Sequence, residues 1–225
     1  MAIRGRPGDE KEDWVSPIQS HRALRQQITG FHFEGFSQGQ KTLSIYADKL
    51  RVEKAKIGVF RFGLSNQVKL ENAHIKIYLD GLAGKGRPKE TNTGENPVLG
   101  LDALLAKDSF SSTGVKRISS VVMSPVRVEV VKKDSVVTEI SSGQATIRLR
   151  EKNLLFKGDV RVCSGDRLLK ASRIIVDPKT MKMECDQGFI LRDSHEVRRG
   201  RHMVTDIFLS QVSIPGASGG TTTNN

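Results

Sequence analysis

A repeated shift in the alternation of apolar residues is the strongest constraint on the fold of this chain. Apolar and polar side chains alternate through much of the sequence, for example in residues 73–77 and 126–130, and this pattern is typical of half-buried β-strands. In a regular strand, the residues on one face follow at i, i+2 and i+4. Here Ala47 is followed by Leu50, so the apolar face changes parity at a step of three residues.

The same step recurs along the chain, which makes it a repeat. Four segments share its spacing: Ile45, Ala47, Leu50 and Val52; Ile140, Ser142, Ala145 and Ile147; Leu169, Ala171, Ile174 and Val176; and Met203, Thr205, Phe208 and Ser210. A step of this kind predicts a bulge or bend where a strand turns a corner from one sheet to another. Because one rung cannot bury its own apolar face, neighbouring rungs must stack. The sequence therefore predicts an all-β fold: a two-sheet antiparallel β-jellyroll with solenoid-like stacking and open ends.

Three parts are expected along the chain. Residues 1–27 form a polar leading segment, residues 28–210 the jellyroll domain, and residues 211–225 a flexible tail rich in Gly, Thr and Asn. Within the jellyroll, residues 81–120 break the strand pattern with several Gly and Pro, so we interpret them as an excursion from the sheet. Asn96 and Pro97 can begin a short helix there, at about residues 97–107, with Pro at the first helical position.

The sequence carries no apolar run long enough to span a bilayer, and no signal peptide follows Met1. Since the chain opens abruptly on a charged run from Arg4 to Asp13, we expect the full gene to encode about 20 apolar residues before Met1, the length of a membrane anchor. Two cysteines, Cys163 and Cys185, make neither a disulfide framework nor a zinc site. An unlinked pair is favoured over a single disulfide.

Motifs for catalysis and metal binding are not found. The histidines show no metal-ligand spacing; they are His21, His32, His74, His195 and His202. Residues 35–42 read G-F-S-Q-G-Q-K-T and resemble a phosphate-binding loop, but Gln40 separates Gly from Lys and strands flank both sides, so a hairpin turn is predicted. The pattern G-x-S-x-G occurs at residues 35–39 and 216–220, but the first copy lies in the predicted hairpin turn and the second in the tail, so neither stands between a strand and a helix as a nucleophile would; no carboxylate pair stands out. We therefore expect a protein that is not an enzyme and needs no metal or cofactor.

The chain is strongly basic, with 36 Lys and Arg against 25 Asp and Glu and a net charge of +11. Part of the excess clusters near the last strands, in Arg192, His195, Arg198, Arg199, Arg201 and His202. Such a cluster is a solvated basic face, a contact for anionic lipid phosphates or a membrane surface, or a nucleic-acid site. Single-strand binders add stacking aromatics along their basic groove, and only Phe189 and Phe208 lie nearby in sequence, so no nucleic-acid partner is expected.

The region from residue 145 to 191 resembles a known family. Its motifs are a Gly-acid-Val turn and strand, a Gly-acid hairpin and an Ala-polar-basic-aliphatic corner ending in Asp, found as N-L-L-F-K-G-D-V-R-V at 153–162, G-D-R-L-L-K-A-S-R-I at 165–174, Val176-Asp177, and G-F-I-L at 188–191. This combination resembles the OstA-type repeat of periplasmic lipopolysaccharide-transport proteins. Residues 35–78 are similar to the first half of the LptC-type inner-membrane component, and residues 200–209 to its terminal strand.

The resemblance implies a periplasmic protein, tethered to the inner membrane by an N-terminal helix, that carries lipopolysaccharide or a similar anionic lipid. It also implies two protein partners, an inner-membrane ABC exporter that supplies the driving energy and a second periplasmic jellyroll protein. Shielding an acyl chain of about twelve methylenes from water is worth on the order of 10 kcal/mol, so a carrier needs continuous apolar cover. The inward aliphatic residues predicted to supply it are Ile45, Ala47, Leu50, Val52, Ile140, Ala145, Ile147, Phe156, Val160, Leu169, Ala171, Ile174 and Val176.

The last strand, about residues 203–210, is predicted to be an open edge that docks the second jellyroll protein through Met203, Thr205 and Phe208. Two other functions remain open: a non-catalytic β-solenoid scaffold that bridges envelope proteins by strand addition, and a basic nucleic-acid-binding module. A scaffold packs its interior with large residues, whereas a carrier needs small ones such as Ala47, Ser142, Ala145 and Ala171. These small residues favour the carrier.

Overall fold

The computed structural model confirms the all-β fold class. It describes residues 24–37, 39–57, 60–80, 118–178 and 180–214, which form thirteen strands without a helix. The short helix predicted at residues 97–107 lies outside these ranges, as do most of the leading segment and the end of the tail. Among the described residues, no helix has the length and apolar character needed to cross a membrane.

The first eight strands are mostly long. They are β1 (Leu24–Ser37), β2 (Gln40–Ile57), β3 (Phe60–Tyr78), β4 (Ile118–Lys132), β5 (Ser135–Ser142), β6 (Gln144–Arg148), β7 (Asn153–Ser164) and β8 (Arg167–Asp177). The remaining strands are short: β9 (Lys182–Cys185), β10 (Phe189–Arg192), β11 (Val197–Gly200), β12 (Met203–Asp206) and β13 (Val212–Ser213). The first strand therefore begins four residues before the domain start expected at residue 28.

Hydrogen bonds join all thirteen strands into one jellyroll-like network. Its order is β1, β2, β3, β4, then the pair β5 and β6, then β7 and β8; beyond β8 it divides into β9–β12–β13 and β10–β11. Every neighbouring pair is antiparallel except β3 and β4, which are parallel. A parallel pair cannot be closed by a hairpin and needs a long crossover. In the sequence, Tyr78 and Ile118 are separated by the predicted excursion, most of which lies outside the described residues.

One line of corners crosses every rung of the sheet. On β2, Ala47 and Leu50 both face the core, and the same step of three joins Leu70 to Ala73 on β3 and Met123 to Val126 on β4. The register of neighbouring strands places the corners opposite one another, at Gly30, Asp48, Asn72, Pro125, Gly143, Gly158-Asp159, Ser172, Gln187 and Arg201. The repeat predicted from the sequence is thus a continuous structural feature, and it is present on more rungs than the pattern alone revealed.

Left-handed backbone conformations produce the parity change on several of these rungs. Gly30, Asn72, Gly158 and Asp159 have positive φ angles of 67°, 53°, 77° and 49°. A residue of this kind inserted in a strand makes a bulge, after which the side chains continue with the opposite parity. On β7 two such residues follow one another, so the step from Phe156 to Val160 is four residues and the inward side chains keep the same parity on both sides of the corner.

In the fourth predicted copy of the repeat, the prediction is wrong for the last two positions, Phe208 and Ser210. Met203 and Thr205 face the core as predicted, but the next buried side chains are Ile207 and Leu209, whereas Phe208 is only partly buried. The chain leaves the strand at Asp206, whose side chain accepts hydrogen bonds from the backbone N–H of Ser210 at 2.6 Å and of Gln211 at 3.1 Å. These bonds fold residues 206–211 into a turn, which puts β13 back against β12 beyond the boundary expected at residue 210.

Candidate functional site

The residues predicted to line a lipid path form the core of the protein. All of them except Ala171 are at most 6% exposed and belong to one continuous apolar cluster that runs through the rungs from β2 to β8. Phe156, Ile45, Leu50, Ile140 and Ile174 are among the largest fully buried side chains. The structure thus brings the predicted set together, and it packs these side chains against one another.

The small residues of the interior lie beside the corner line. Ala47, Ala73 and Ser142 immediately precede or follow a corner, and Ala145 is fully buried on the other side of Gly143. At a corner the inward side chains of the two strand halves converge, so little volume is left for them. This packing requirement accounts for their size without a ligand, and the smallness of Ala145 therefore does not support a lipid contact there.

Ala171 differs from the other predicted residues because it borders a groove. The groove has a volume of about 660 Å³ and lies where β8, β10 and β11 meet the corner line. Its apolar side chains are Ala171, Phe189 and Ile190, and its polar rim includes Lys170, Arg199 and Arg201. Small-molecule sites commonly occupy roughly 300–1,000 Å³ and combine apolar walls with a few polar groups. The groove is therefore large enough for part of an acyl chain.

A row of cross-strand neighbours connects the groove to the core. Val160 pairs with Ala171, Ala171 with Phe189, and Phe189 with Gly200, on four adjacent strands. The ring of Phe189 lies directly over Gly200: a Cβ atom added there would be 2.7 Å from ring atom Cε1. Glycine at this position thus allows the aromatic ring to pack against the neighbouring backbone, while the small Ala171 leaves space on its other side.

A second cavity, of about 500 Å³, lies at the corner of β1, β2 and β3. The rings of His32 and Tyr46 stack there with centroids 4.2 Å apart, and Asn72 donates a hydrogen bond of 2.6 Å to Asp48. No sequence pattern indicates this cavity, because its residues are brought together only by the strand register. No group of three or more side chains suited to a metal ion occurs among the described residues.

Glu129 is a nearly buried carboxylate on the outer face of β4. It pairs with His74 at 3.1 Å, with Arg127 at 3.2 Å and with Lys76 at 3.4 Å. Burial acts to raise the pKa of this carboxyl, but the charge of His74 and the hydrogen bond and charge of Lys76 outweigh burial and hold the pKa below its ordinary value. Since its partners lie on β3 and β4, these ion pairs link the two parallel strands on their outer face.

The basic cluster predicted near the last strands divides into paired and unpaired groups. Arg198 forms an ion pair with Glu196 at 2.7 Å, and His202 lies 2.9 Å from Glu184. In the described part of the chain, no carboxylate pairs with Arg192, Arg199 or Arg201. The unpaired cations thus belong to the outer face of β10 and β11 and to the rim of the groove.

His195 lies in the turn between these strands. The carboxylate of Asp193 accepts hydrogen bonds from the backbone N–H groups of His195 at 2.9 Å and Glu196 at 2.8 Å. These bonds lower the pKa of Asp193, so its charge is held within the turn.

The predicted partner edge at β12 is covered. Val204 and Thr205 pair with β13, so this stretch of β12 has neighbours on both sides, and the backbone N–H of Ile207 donates to the Met181 carbonyl at 2.9 Å. The prediction of an open edge at residues 203–210 is wrong for this reason, and the sequence could not show it because β13 has only two residues. The long strand β1, in contrast, pairs only with β2 among the described residues.

Both cysteines are free thiols. Cys163 is exposed on β7, and Cys185 is buried on β9, where burial raises the pKa of its thiol to about 12. A buried thiol with so high a pKa is inert toward oxidants and alkylating agents.

Comparison with known proteins does not add a family. No protein-family model matches the chain, and no curated protein matches it.

Proposed function

We propose that the protein is a lipid carrier of the periplasm that shields acyl chains of lipopolysaccharide or a similar anionic lipid and passes them between components of an exporter. The observation that carries the proposal is the groove beside Ala171, because its apolar floor leads through Val160 into the apolar core. Its polar rim holds Lys170, Arg199 and Arg201 together with Asp159, and this excess of positive charge suits the phosphates of such a lipid. The partners in this proposal are an inner-membrane ABC exporter and a second jellyroll protein.

The proposed role of the chain is binding without catalysis. An acyl chain would lie against Ala171 and the ring of Phe189, where contact with apolar side chains replaces contact with water. The packed interior beyond Ala171 supports the sheet, and movement of lipid farther along it requires the side chains at the corner to part. Apolar burial then stabilises the lipid at each binding position along the path, and the exporter sets the direction of transfer.

A photo-crosslinkable lipopolysaccharide tests this proposal directly. Ala171 is only partly buried, so we expect Ala171→Phe to remain folded, to fill the groove and to reduce crosslinking several-fold. Ala171→Asp should reduce it as well, because an unpaired carboxylate would take the place of methylenes. Ser135→Phe, at the exposed start of β5, adds the same ring far from the groove and should leave crosslinking unchanged. Unchanged crosslinking in a folded Ala171→Phe variant would remove the groove from the proposal.

The open edge of β1 favours a second candidate, a scaffold that bridges envelope proteins. This strand has 14 residues and offers an unpaired edge for strand addition among the described residues. A photo-reactive residue in place of the exposed Thr29 would capture a protein partner in either case. A scaffold would do so without any lipid crosslinking at the Ala171 groove, whereas a carrier shows lipid crosslinking.

A further inference from the structure

The outer face of β8, β10 and β11 combines unpaired cations with aliphatic side chains that are exposed or partly buried. Its central row places Lys170 beside Ile190 and Ile190 beside Arg199; the next row places Leu168 beside Arg192 and Arg192 beside Val197. Cross-strand partners and residues two apart on a strand point to the same side of a sheet. We call these six residues the basic outer face, and the opposite side of the same strands holds the buried Leu169 and Leu191.

No acidic side chain interrupts this surface. Ion pairs in the described part of the chain involve none of its three cations, whereas on the neighbouring strand β7 Arg161 is held by Asp159 at 2.8 Å. The arginines are exposed, and Val197 is 52% exposed although it is aliphatic. An unneutralised cationic surface with apolar side chains between the charges is unfavourable in water alone, and it is complementary to a partner that has negative charge above an apolar layer.

We propose that the basic outer face docks on the surface of an anionic bilayer. The cations would lie at the level of lipid phosphates, while Val197 and Ile190 reach the boundary of the acyl chains, as in other peripheral membrane proteins. Nucleic acid would require stacking aromatics or a helix or ribbon that enters a groove, and this flat face has neither. The inference does not depend on lipid transport, although docking here would place the groove beside Ala171 next to the bilayer.

Vesicle sedimentation tests the proposal. The wild-type protein should bind vesicles of phosphatidylglycerol mixed with phosphatidylcholine, bind less as salt rises, and not bind pure phosphatidylcholine. Each Lys or Arg near an anionic surface contributes roughly a factor of five in partitioning, so Arg192→Glu with Arg199→Glu should reduce binding by roughly 25-fold or more. Val197→Ser should reduce it by a few-fold, since it removes only an apolar contact.

A control with the same change in net charge separates the face from the whole protein. Lys132→Glu with Lys152→Glu alters two exposed cations at the β4–β5 and β6–β7 hairpins. We expect this variant to retain most of the binding, and equal loss in both double variants would overturn the proposal by showing that only net charge matters. Absence of wild-type binding to anionic vesicles would overturn it too.

Two further measurements distinguish the remaining partners. Tighter binding of a single-stranded oligonucleotide than of anionic vesicles, lost in the Arg192 and Arg199 double variant, would replace the bilayer by nucleic acid. In detergent, the single variant Arg192→Glu, whose position lies outside the groove, should keep its lipopolysaccharide crosslinking there. Failure of lipid crosslinking in the wild type with intact vesicle binding would reject the proposed carrier function and leave bilayer docking standing.

Discussion

The two ends of the sheet pass the same corner in different ways. Strands β1 to β4 are 14, 18, 19 and 15 residues long and turn the corner without interruption. Beyond β8, each rung is divided into two strands of four residues, β10 with β9 and β11 with β12, and a short loop replaces the bulge. The divided end holds the groove beside Ala171, whereas at the continuous end the long strands pair on both sides of the corner.

The outer faces of the two ends also differ, in how far their charged side chains are paired. At the continuous end, Glu53, Glu71 and Glu129 pair with lysines, arginines and a histidine on adjacent strands. At the divided end, Lys170, Arg192 and Arg199 have no carboxylate partner among the described residues. Regions that bind tend to be less stable than the scaffold that holds them. The contrast is consistent with the proposed binding role of β8, β10 and β11, for which β1–β4 would serve as the scaffold.

The largest effect should come from removing a core aromatic ring on the scaffold side of the groove. Phe156→Ala deletes a side chain that is 1% exposed on β7, and we expect a loss of about 3–5 kcal/mol in the free energy of unfolding. Phe189→Ala removes a ring that is 4% exposed, and because one side of this ring borders the groove we expect a loss smaller by about 1 kcal/mol or more. Urea unfolding measures both, and equal losses would show that the divided end packs as tightly as the rest.

A smaller effect is expected from a methyl group at Gly200. Ala there would bring its Cβ within 2.7 Å of the Phe189 ring, so the ring must shift, and overpacking of this kind costs about 1–3 kcal/mol. A double variant of Gly200→Ala with Phe189→Leu should recover part of the loss, because the smaller side chain frees the space. Purely additive losses in this double-mutant cycle would mean that the glycine serves the backbone and not the ring.

The outer face at the continuous end should respond to acid. The folded pKa of Glu129 lies below its ordinary 4.5, so the ionised form stabilises the fold, and this contribution is present above pH 4.5 and disappears as pH falls through the folded pKa. Glu129→Gln should cost about 1–2 kcal/mol at pH 7 and progressively less below pH 4.5. Glu71→Gln is the matched control: this carboxylate is 41% exposed and pairs with Arg51, so its loss should cost under about 1 kcal/mol.

An unchanged difference between wild type and Glu129→Gln from pH 7 down to pH 3 would contradict this assignment. It would indicate that the variant loses packing and hydrogen bonds of Glu129 and not its charge.

Much of this fold could be predicted because a corner changes the local alternation of apolar and polar residues, which can be seen in the sequence. The steps from Ala47 to Leu50, Ser142 to Ala145 and Ala171 to Ile174 are confirmed, since inward side chains at a corner must keep facing the core. Partner strands leave no comparable trace in the sequence. The parallel pairing of β3 with β4 and the cover that β13 gives β12 are therefore visible only in the structure.

The candidate site could be predicted only in part, for a related reason. Parity identifies which residues face inward, but it does not tell a packed interior from an open one, so Ile45 and Ala171 were assigned the same role. Space is left at Ala171 because Gly200 and the divided rungs lie two strands away, and this is a property of neighbours in space. The unpaired state of Arg199 likewise depends on which side chains lie across the strand.

The smallest expected effect gives the most specific test of the contrast. Reversing one positive charge should lower the stability of the continuous end but not that of the divided end. Lys69→Glu replaces a lysine that pairs with Glu53 at 2.8 Å, and the new like-charge pair should lower stability by about 0.5–1 kcal/mol. Arg199→Glu introduces a carboxylate among unpaired cations, so stability should stay within about 0.5 kcal/mol of wild type or rise slightly. Both variants change net charge by the same amount, and thermal unfolding at low and high salt measures both. High salt should shrink the loss from Lys69→Glu, since exposed charges are screened. A loss at Arg199 as large as that at Lys69 would mean that this arginine contributes to the fold, and the division between a scaffold end and a binding end would then not hold.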